Sequence, residues 1–284
     1  MNFEKVTIVG LGLIGGSWGL ALKKCGSGAR RVGFGRAPTL VRALAVDAVD
    51  EGTDDLGKAI QGADLIILAA PVGAILDCIP RLRDASKALV TDVGSTKRLI
   101  CQRARETFGA DPLFLGGHPL AGKERAGVEN ADATLFANAR YVLTPLEETH
   151  LEDPRIKAFL SLLSAVGARP YFMDPARHDR ALAFLSHLPQ LVSSALASLI
   201  AEESREARLP VELAATGLRD VTRLAESPYS VWRDICLTNL ENIQPALEAL
   251  VAKLQFIKQH LSDRELEREF QQASKLREKL REIG

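Results

Sequence analysis

One stretch near the amino terminus combines a short β-branched run, a glycine-rich turn and a helix start: Val6-Thr7-Ile8-Val9-Gly10-Leu11-Gly12-Leu13-Ile14-Gly15-Gly16-Ser17. Three of its glycines have separate physical tasks. Gly10 allows a tight exit from the strand, Gly12 lets the backbone approach a pyrophosphate, and Gly15 lets the helix pack closely on its strand. The pattern therefore predicts a dinucleotide-binding turn.

Two further features support a bound nucleotide. The helix predicted over residues 13–24 presents unpaired amides at its positive amino-terminal end, and such amides bind phosphate. An apolar strand further along the chain ends in Ala69-Ala70-Pro71-Val72, which leaves space for a nucleotide at the carboxyl edge of a sheet. The residues that we expect to form the cofactor site are Gly10, Gly12, Leu13, Ile14, Gly15 and Pro71.

The end of the second predicted strand, residues 31–34, bears on the choice of cofactor. Enzymes that use NAD usually have an acidic residue there for the ribose 2′-hydroxyl, whereas an arginine accommodates a 2′-phosphate. This chain has Gly35 followed by Arg36, so the sequence favours NADP. If Arg36 is only a solvated loop residue, the protein accepts NAD as well.

Composition excludes several classes of partner. The chain has 284 residues, with 36 Lys plus Arg and 36 Asp plus Glu, so its formal net charge is zero and neither nucleic acid nor an anionic membrane is expected as a partner. The first strand starts too close to Met1 for a signal peptide, and we expect no apolar run of membrane-spanning length. The four cysteines lack CxxC or CxxH spacing, so we expect no metal site and a reduced, cytoplasmic protein.

The order of apolar runs predicts an α/β fold with two domains. Nearly continuous apolar runs such as residues 64–72 are typical of parallel strands covered on both faces. From Asp174-Pro175 onward the pattern is wholly helical. We therefore predict a Rossmann-type parallel-sheet dinucleotide domain over residues 1–173, followed by an all-helical domain over residues 174–284 that binds substrate and dimerises.

Two loops after predicted strands carry candidate catalytic residues. His118 lies between Gly117 and Pro119, and this backbone restriction is a sensible way to hold a general base. Ser95 follows the strand predicted over residues 88–92, where it either caps the next helix or lies in the crevice beside the reacting carbon.

The helical part adds a histidine and several arginines. Pro189 interrupts a long apolar helix directly after His187, so a kink there could turn this histidine toward the crevice. Arg219, Arg223 and Arg233 occur among apolar residues, which differs from a solvated charge run. One of these arginines facing the crevice would bind a substrate carboxylate in bidentate fashion.

Six motifs together resemble the prephenate/arogenate (cyclohexadienyl) dehydrogenase family. In the amino-terminal part they are the glycine turn, the run Asp92 to Lys97, and Gly117-His118-Pro119-Leu120-Ala121-Gly122 followed by Glu124. In the helical part they are Ser186-His187-Leu188-Pro189, Asp220-Val221-Thr222-Arg223 and Trp232-Arg233-Asp234. The motifs extend over essentially the whole chain, so the resemblance is more specific than the glycine turn alone.

The resemblance implies oxidative decarboxylation in tyrosine biosynthesis, with hydride transfer to a nicotinamide. It implies that His118 is the base for the ring hydroxyl, that Arg223 binds the ring carboxylate, and that Ser95 and His187 line the site. Arg219 is the next candidate for the carboxylate. The helical stripes of the last segments fit a homodimer, although a monomer that uses them for its own core fits equally.

The substrate itself stays open at this level. Prephenate and arogenate differ only in a keto group against an ammonium group, and Gln190, three residues after His187, is a candidate for distinguishing them. Two features favour arogenate. One is the predicted preference for NADP, and the other is the lack of room for further domains after the helical part. Two competing hypotheses are a β-hydroxyacid dehydrogenase or imine reductase, and a non-catalytic NADP-binding sensor.

Overall fold

A single sheet forms the amino-terminal part of the chain in the computed structural model, which describes residues 3–83, 87–109, 111, 113–123, 125–206 and 209–283. Glu124 therefore lies outside the described residues. Within them the strands are β1 (Lys5–Val9), β2 (Arg30–Phe34), β3 (Glu51–Thr53), β4 (Leu65–Leu68), β5 (Leu89–Asp92), β6 (Phe114–Pro119), β7 (Arg140–Pro145) and β8 (Arg169–Phe172). Their order across the sheet is β3-β2-β1-β4-β5-β6-β7-β8.

The α-helices of the described chain connect these strands and continue after β8. They are α1 (Leu13–Lys24), α2 (Ala37–Ala45), α3 (Leu56–Ile60), α4 (Val72–Cys78), α5 (Arg98–Phe108), α6 (Pro154–Ala165), α7 (Pro175–Leu182), α8 (Leu188–Glu206), α9 (Thr216–Thr222), α10 (Tyr229–Thr238), α11 (Leu240–Gln259) and α12 (Glu265–Ile283). A π-helical segment, Ala183–His187, joins α7 to α8. The predicted fold class, a Rossmann-type sheet followed by a helical part, is confirmed.

Two details of the sheet differ from the sequence prediction. β7 runs antiparallel to β6, while every other neighbouring pair is parallel. The edge strand β3 was not predicted, because it has three residues, one of them Gly52, and they are mostly exposed. Neither feature has a local signal, since strand direction depends on the path of residues 120–139.

Side chains cover both faces of the sheet, so a ligand reaches it at the edge. On one face Trp18 of α1 packs against Phe136, Tyr141 and Phe159, with ring centroids 4.9 to 5.9 Å from that of Trp18. On the other face Ile66 and Leu68 pack with residues of α4 and α5. The strand order reverses between β1 and β4, and ligands of open α/β sheets bind at the carboxyl ends of strands at such a point.

The helical part docks on this carboxyl edge through hydrogen bonds to the starts of two helices. The Asp234 carboxylate accepts a hydrogen bond from Gly73 N at 2.9 Å, at the start of α4. The Asp179 carboxylate accepts from Lys97 N at 2.7 Å and from Arg98 N at 2.9 Å, at the start of α5. Carboxylates are favourable partners there because helix amino termini carry unpaired N–H groups and partial positive charge.

The continuous helical stretch from Pro175 to Arg205 is, by length and composition alone, long and apolar enough to cross a membrane. The expectation that no stretch reaches that length is therefore wrong on this criterion. Such a helix is weak support for a membrane span, because core helices of soluble proteins pass the same test. About 22% of its apolar part is buried within the chain, so most of that part is half-buried or exposed in a single copy.

Candidate active site

A cavity of about 560 Å³ lies where the strand order reverses, between the ends of β1, β2 and β4. Four of the residues predicted for the cofactor site line it: Gly10, Gly12, Arg36 and Pro71. The predicted residues Leu13, Ile14 and Gly15 are not among the described lining residues and form the first turn of α1.

The glycines of the turn differ in what a side chain would meet. Gly10 has a φ of +93°, and a Cβ there would lie 2.6 Å from the Ala69 carbonyl oxygen. A Cβ on Gly15 would lie 2.0 Å from the carbonyl oxygen of Gly10. A Cβ on Gly12 would meet no heavy atom within 4 Å. The first two glycines are therefore required by the protein's own packing, whereas Gly12 faces open space in the cavity wall.

The start of α1 fits an anionic group. Gly12 is its N-cap and has no side chain to occupy the unpaired amides of the first turn. The helix has 12 residues, and its amino-terminal partial positive charge acts on whatever lies in the cavity. The uncapped amides and the open space at Gly12 together fit the pyrophosphate of a dinucleotide.

Positive charge is concentrated near the end of β2. Arg36, Arg42 and Arg81 line the cavity there together with Thr39, and among the described lining residues Asp77 has the one carboxylate. Arg42 was not predicted, although its spacing of three from Thr39 places these two side chains on the same face of α2. Arg81 was also not predicted, because it comes from a 3-10 turn after α4 that lies far along the sequence.

A buried ion pair organises the strand ends next to this cavity. Asp92 and Lys97 form a salt bridge, and both side chains are fully buried. The Asp92 carboxylate also accepts from Gly94 N at 2.8 Å and from Gly117 N at 3.0 Å, and Lys97 Nζ donates to the Gly117 carbonyl oxygen at 2.7 Å. One carboxylate thus holds the amides directly before two predicted residues, Ser95 and His118.

His118 contacts a second histidine that was not predicted. Its Nδ1 lies 2.9 Å from Nε2 of His178, and Nδ1 of His178 lies 2.8 Å from the Asp179 carboxylate. Burial holds the pKa of His118 well below its usual value, and positive charge on His178, Lys97 or His187 lowers it further. The imidazole of His118 is therefore neutral at pH 7 and able to accept a proton.

Ser95 does not cap helix α5. It lies half-buried in the turn between β5 and α5, and the amides of that helix start are held by Asp179 instead. The hydroxyl of its neighbour Thr96 pairs with that of Thr238, at 2.8 Å. Of the two hypotheses for Ser95, helix capping is therefore wrong.

His187 lies buried in the π-helical segment directly before α8. Asn239 Nδ2 donates to His187 Nδ1 at 3.1 Å, and the Trp232 ring packs edge-on with a centroid distance of 5.9 Å. Burial lowers the pKa of His187 to about 4, so the ring is neutral at pH 7. Because Nδ1 accepts a hydrogen bond, the ring proton is on Nε2, which can donate to a ligand. π-helical segments are frequent at functional sites.

The predicted carboxylate-binding residues belong to a separate part of the helical region. Arg223 begins a 3-10 turn, Arg223–Glu226, and has an exposed side chain, as has Arg219 on α9. Gln190 Nε2 donates to the Leu224 carbonyl oxygen at 2.7 Å and to Ser194 Oγ at 3.2 Å. Gln190 therefore holds the turn that carries Arg223, and its two amide hydrogens are engaged within the protein.

The same turn faces the loop that follows His118. Glu226 lines a cavity of about 530 Å³ together with Lys123 and Arg125. The Arg223 turn and the loop after β6 therefore line one cavity.

Comparison with known proteins gives two matching family models. Residues 18–172 match the model described as "Prephenate dehydrogenase, nucleotide-binding domain", and residues 174–282 match "Prephenate dehydrogenase, dimerization domain". A prephenate dehydrogenase of Bacillus subtilis (strain 168) is 33% identical over 276 residues, which cover 95% of this chain and 74% of the relative.

Two solved structures are also similar over nearly the whole chain. A prephenate dehydrogenase from A. aeolicus, in complex with hydroxyphenyl propionate and NAD+, superposes with a TM-score of 0.89 at 30% identity, covering 100% of this chain and 99% of that one. A Synechocystis arogenate dehydrogenase superposes with a TM-score of 0.78 at 34% identity, covering 97% and 99% of the two chains.

Two glycine substitutions separate cofactor binding from folding. Gly12→Ala adds a methyl group only to open space, so we expect an unchanged melting temperature and at least 10-fold weaker nicotinamide dinucleotide binding in a fluorescence titration. Gly15→Ala places a methyl group against the Gly10 carbonyl, so it should lower the melting temperature strongly. Unchanged dinucleotide affinity in Gly12→Ala would show that the cofactor does not approach this turn.

Proposed function

Since the chain belongs to the prephenate dehydrogenase family across both its nucleotide-binding and its dimerization part, we propose that it oxidatively decarboxylates arogenate, prephenate or both, with NADP as the preferred hydride acceptor. The observation that carries the proposal is the buried Asp92 carboxylate, which binds the amides directly before Ser95 and His118. The lowered pKa of His118 supports it, because a neutral imidazole can take the proton of a ring hydroxyl as the hydride leaves.

In the proposed reaction the cofactor takes the hydride and His118 handles the proton. The nicotinamide, when bound, supplies the hydride acceptor. Nε2 of His118 takes the hydroxyl proton while the ring carbon becomes a carbonyl carbon. Loss of carbon dioxide then returns the electron pair of the broken carbon–carbon bond to the ring, which becomes aromatic, and the oxygen takes the proton back from His118. The histidine is thereby regenerated within one turnover, with no net proton released.

Three further residues orient the substrate in this proposal. Ser95 Oγ lies beside the reacting hydroxyl, since the Asp92 carboxylate binds the amides of Gly94 and Gly117, the residues directly before Ser95 and His118. His187 donates from Nε2 to a substrate oxygen, because its Nδ1 is already engaged by Asn239. Arg223 binds the ring carboxylate that leaves, and Gln190 fixes its turn through the Leu224 carbonyl.

The first test measures the initial rate of nicotinamide reduction with arogenate and with prephenate, each paired with NAD and with NADP. We expect reduction with at least one substrate, faster with NADP, and the four rates give the substrate preference. No reduction in any pairing, with dinucleotide still bound, would contradict the proposal and favour another reductase or a sensor.

Replacement of the base tests the assigned chemistry. In His118→Asn we expect kcat to fall about 10²- to 10⁴-fold, the usual contribution of a general base, with substrate affinity nearly intact. His260→Asn, at the end of α11, is the matched histidine control and should keep the wild-type kcat. Wild-type turnover in His118→Asn would remove His118 from the mechanism.

Arg223→Ala should mainly raise the KM for substrate, by about 10- to 100-fold, because hydrogen bonds to charged groups contribute about 1.5–3 kcal/mol. The steady-state comparison includes Arg219→Ala and Arg233→Ala, which should change KM less. If KM is unaltered in Arg223→Ala, whichever of the other two raises it holds the carboxylate.

The preference for NADP is proposed from the charge around the 2′ position. Arg36, Arg42 and Arg81 supply three guanidinium groups to the cavity wall, and Gly35 replaces the acid that would repel a 2′-phosphate. The double variant Arg36→Ala, Arg42→Ala should weaken NADP binding at least 10-fold in a titration and change NAD binding little. Arg277→Ala, on α12, is the control. Equal losses for both cofactors would mean that the arginines do not distinguish them.

We also propose a homodimer, in the cytoplasm, assembled through residues 174–284. The exposed apolar side chains of this part include Val251, Leu254, Leu261, Phe270 and Leu276, each more than half exposed. A second copy would cover them and the outward face of the stretch from Pro175 to Arg205 without a bilayer. Sedimentation equilibrium without detergent should give about twice the 30.8 kDa of one chain; a monomer, or recovery only in membranes, would contradict this.

A further inference from the structure

A hydrogen-bonded chain connects the start of α5 to the proposed base. Asp179 accepts from Lys97 N and Arg98 N, at 2.7 and 2.9 Å. The Nδ1 atom of His178 lies 2.8 Å from the same carboxylate, and its Nε2 lies 2.9 Å from Nδ1 of His118. His178 and Asp179 are each fully buried, so water does not compete for these bonds.

These hydrogen bonds allow one arrangement of protons when both histidines are neutral. A carboxylate only accepts hydrogen bonds, so His178 donates to Asp179 from Nδ1. The Nε2 atom of neutral His178 then has a lone pair and accepts from His118, whose ring proton is therefore on Nδ1. This leaves the lone pair of His118 on Nε2, the atom that has to take a proton from the substrate.

We propose that His178 and Asp179 are positioning residues that fix the tautomer of His118 and stabilise its protonated form during turnover. The inference rests on the proposed function, in which His118 is the base. When the substrate O–H bond breaks, the proton joins Nε2 of His118, while the Nδ1 proton stays hydrogen-bonded to His178 with the Asp179 charge behind it. The proton on Nε2 returns to the product oxygen, so the chain is restored.

Other charged groups around His118 act on it differently. Lys97, which precedes α5, and His187, from the π-helical segment, can only oppose a positive charge on His118. Asp92 of β5 is neutralised by its buried partner Lys97. Among the described groups packed around the imidazole, Asp179 is thus the one that can favour the imidazolium through a direct hydrogen-bonded path.

The test compares two variants of His178 in kcat/KM profiles against pH. His178→Leu removes the acceptor for the Nδ1 proton but keeps an apolar side chain. We expect kcat to fall about 10- to 100-fold, as for other residues that orient a reactive group, and the acidic limb of the profile to move to lower pH. His178→Gln retains a side-chain oxygen that can accept from His118. It should therefore recover part of kcat and reverse part of the shift of the acidic limb.

Asp179→Asn tests the tautomer directly. An amide that keeps its oxygen on the α5 amides has to donate to His178, which reverses every donor in the chain and places the His118 proton on Nε2. The control is Asp234→Asn, which removes a comparable helix contact at α4. Both variants should lose thermal stability, but Asp179→Asn alone should lower kcat more than His178→Gln does and shift the pH profile.

An ¹⁵N-histidine spectrum of the unliganded protein gives a readout independent of activity. We expect His118 and His178 both to carry their proton on Nδ1 in the neutral state, and the variants assign the signals. A His118 proton on Nε2, or an unchanged pH profile and kcat in His178→Leu, would overturn the inference. Absence of any turnover by the wild type would instead contradict the proposed function, and the spectrum would still test the hydrogen-bonded chain.

Discussion

The buried ion pair between Asp92 and Lys97 is the interaction on which the site depends. Burying two charges is costly unless their remaining hydrogen-bonding groups are satisfied. Here backbone groups satisfy them: the carboxylate accepts from the amides of Gly94 and Gly117, and the ammonium donates to the Gly117 carbonyl. Those contacts tie the turn after β5 to the end of β6. They thereby fix the backbone directly before Ser95 and His118 without using either of those side chains.

The contacts that dock the helical part on the sheet also orient the proposed base, His118. Asp179 occupies the start of α5 while orienting His178, and Asn239 donates both to the Asp179 carbonyl at 2.8 Å and to His187 at 3.1 Å. Movement of the helical part away from the sheet would break the bonds from α5 to Asp179 and from His118 to His178 together. The site is therefore complete only when the two parts are joined, which couples the stability of their contact to the state of the base.

The success of sequence-based prediction depended on how local each feature is. The bounds of α1 and the tasks of Gly10 and Gly15 follow from backbone geometry within a few residues, and the structure has them as predicted. The reversed direction of β7 depends on a long connection and was missed. His178 was missed because its position on α7 is typical of an ordinary amphipathic helix. Its partner His118 also lies 60 residues away in the sequence.

The sequence by itself determined the fold class, the dinucleotide turn, the histidine held between glycine and proline, and the family, because these depend on residue types at short spacing. Only the tertiary structure decided which carboxylate binds the start of α5, what Gln190 holds, and which groups surround the His118 ring. Those properties arise from hydrogen bonds between residues that are distant in the chain. A proton's position follows from the whole set of donors and acceptors around a ring, and that set exists only after the chain has folded.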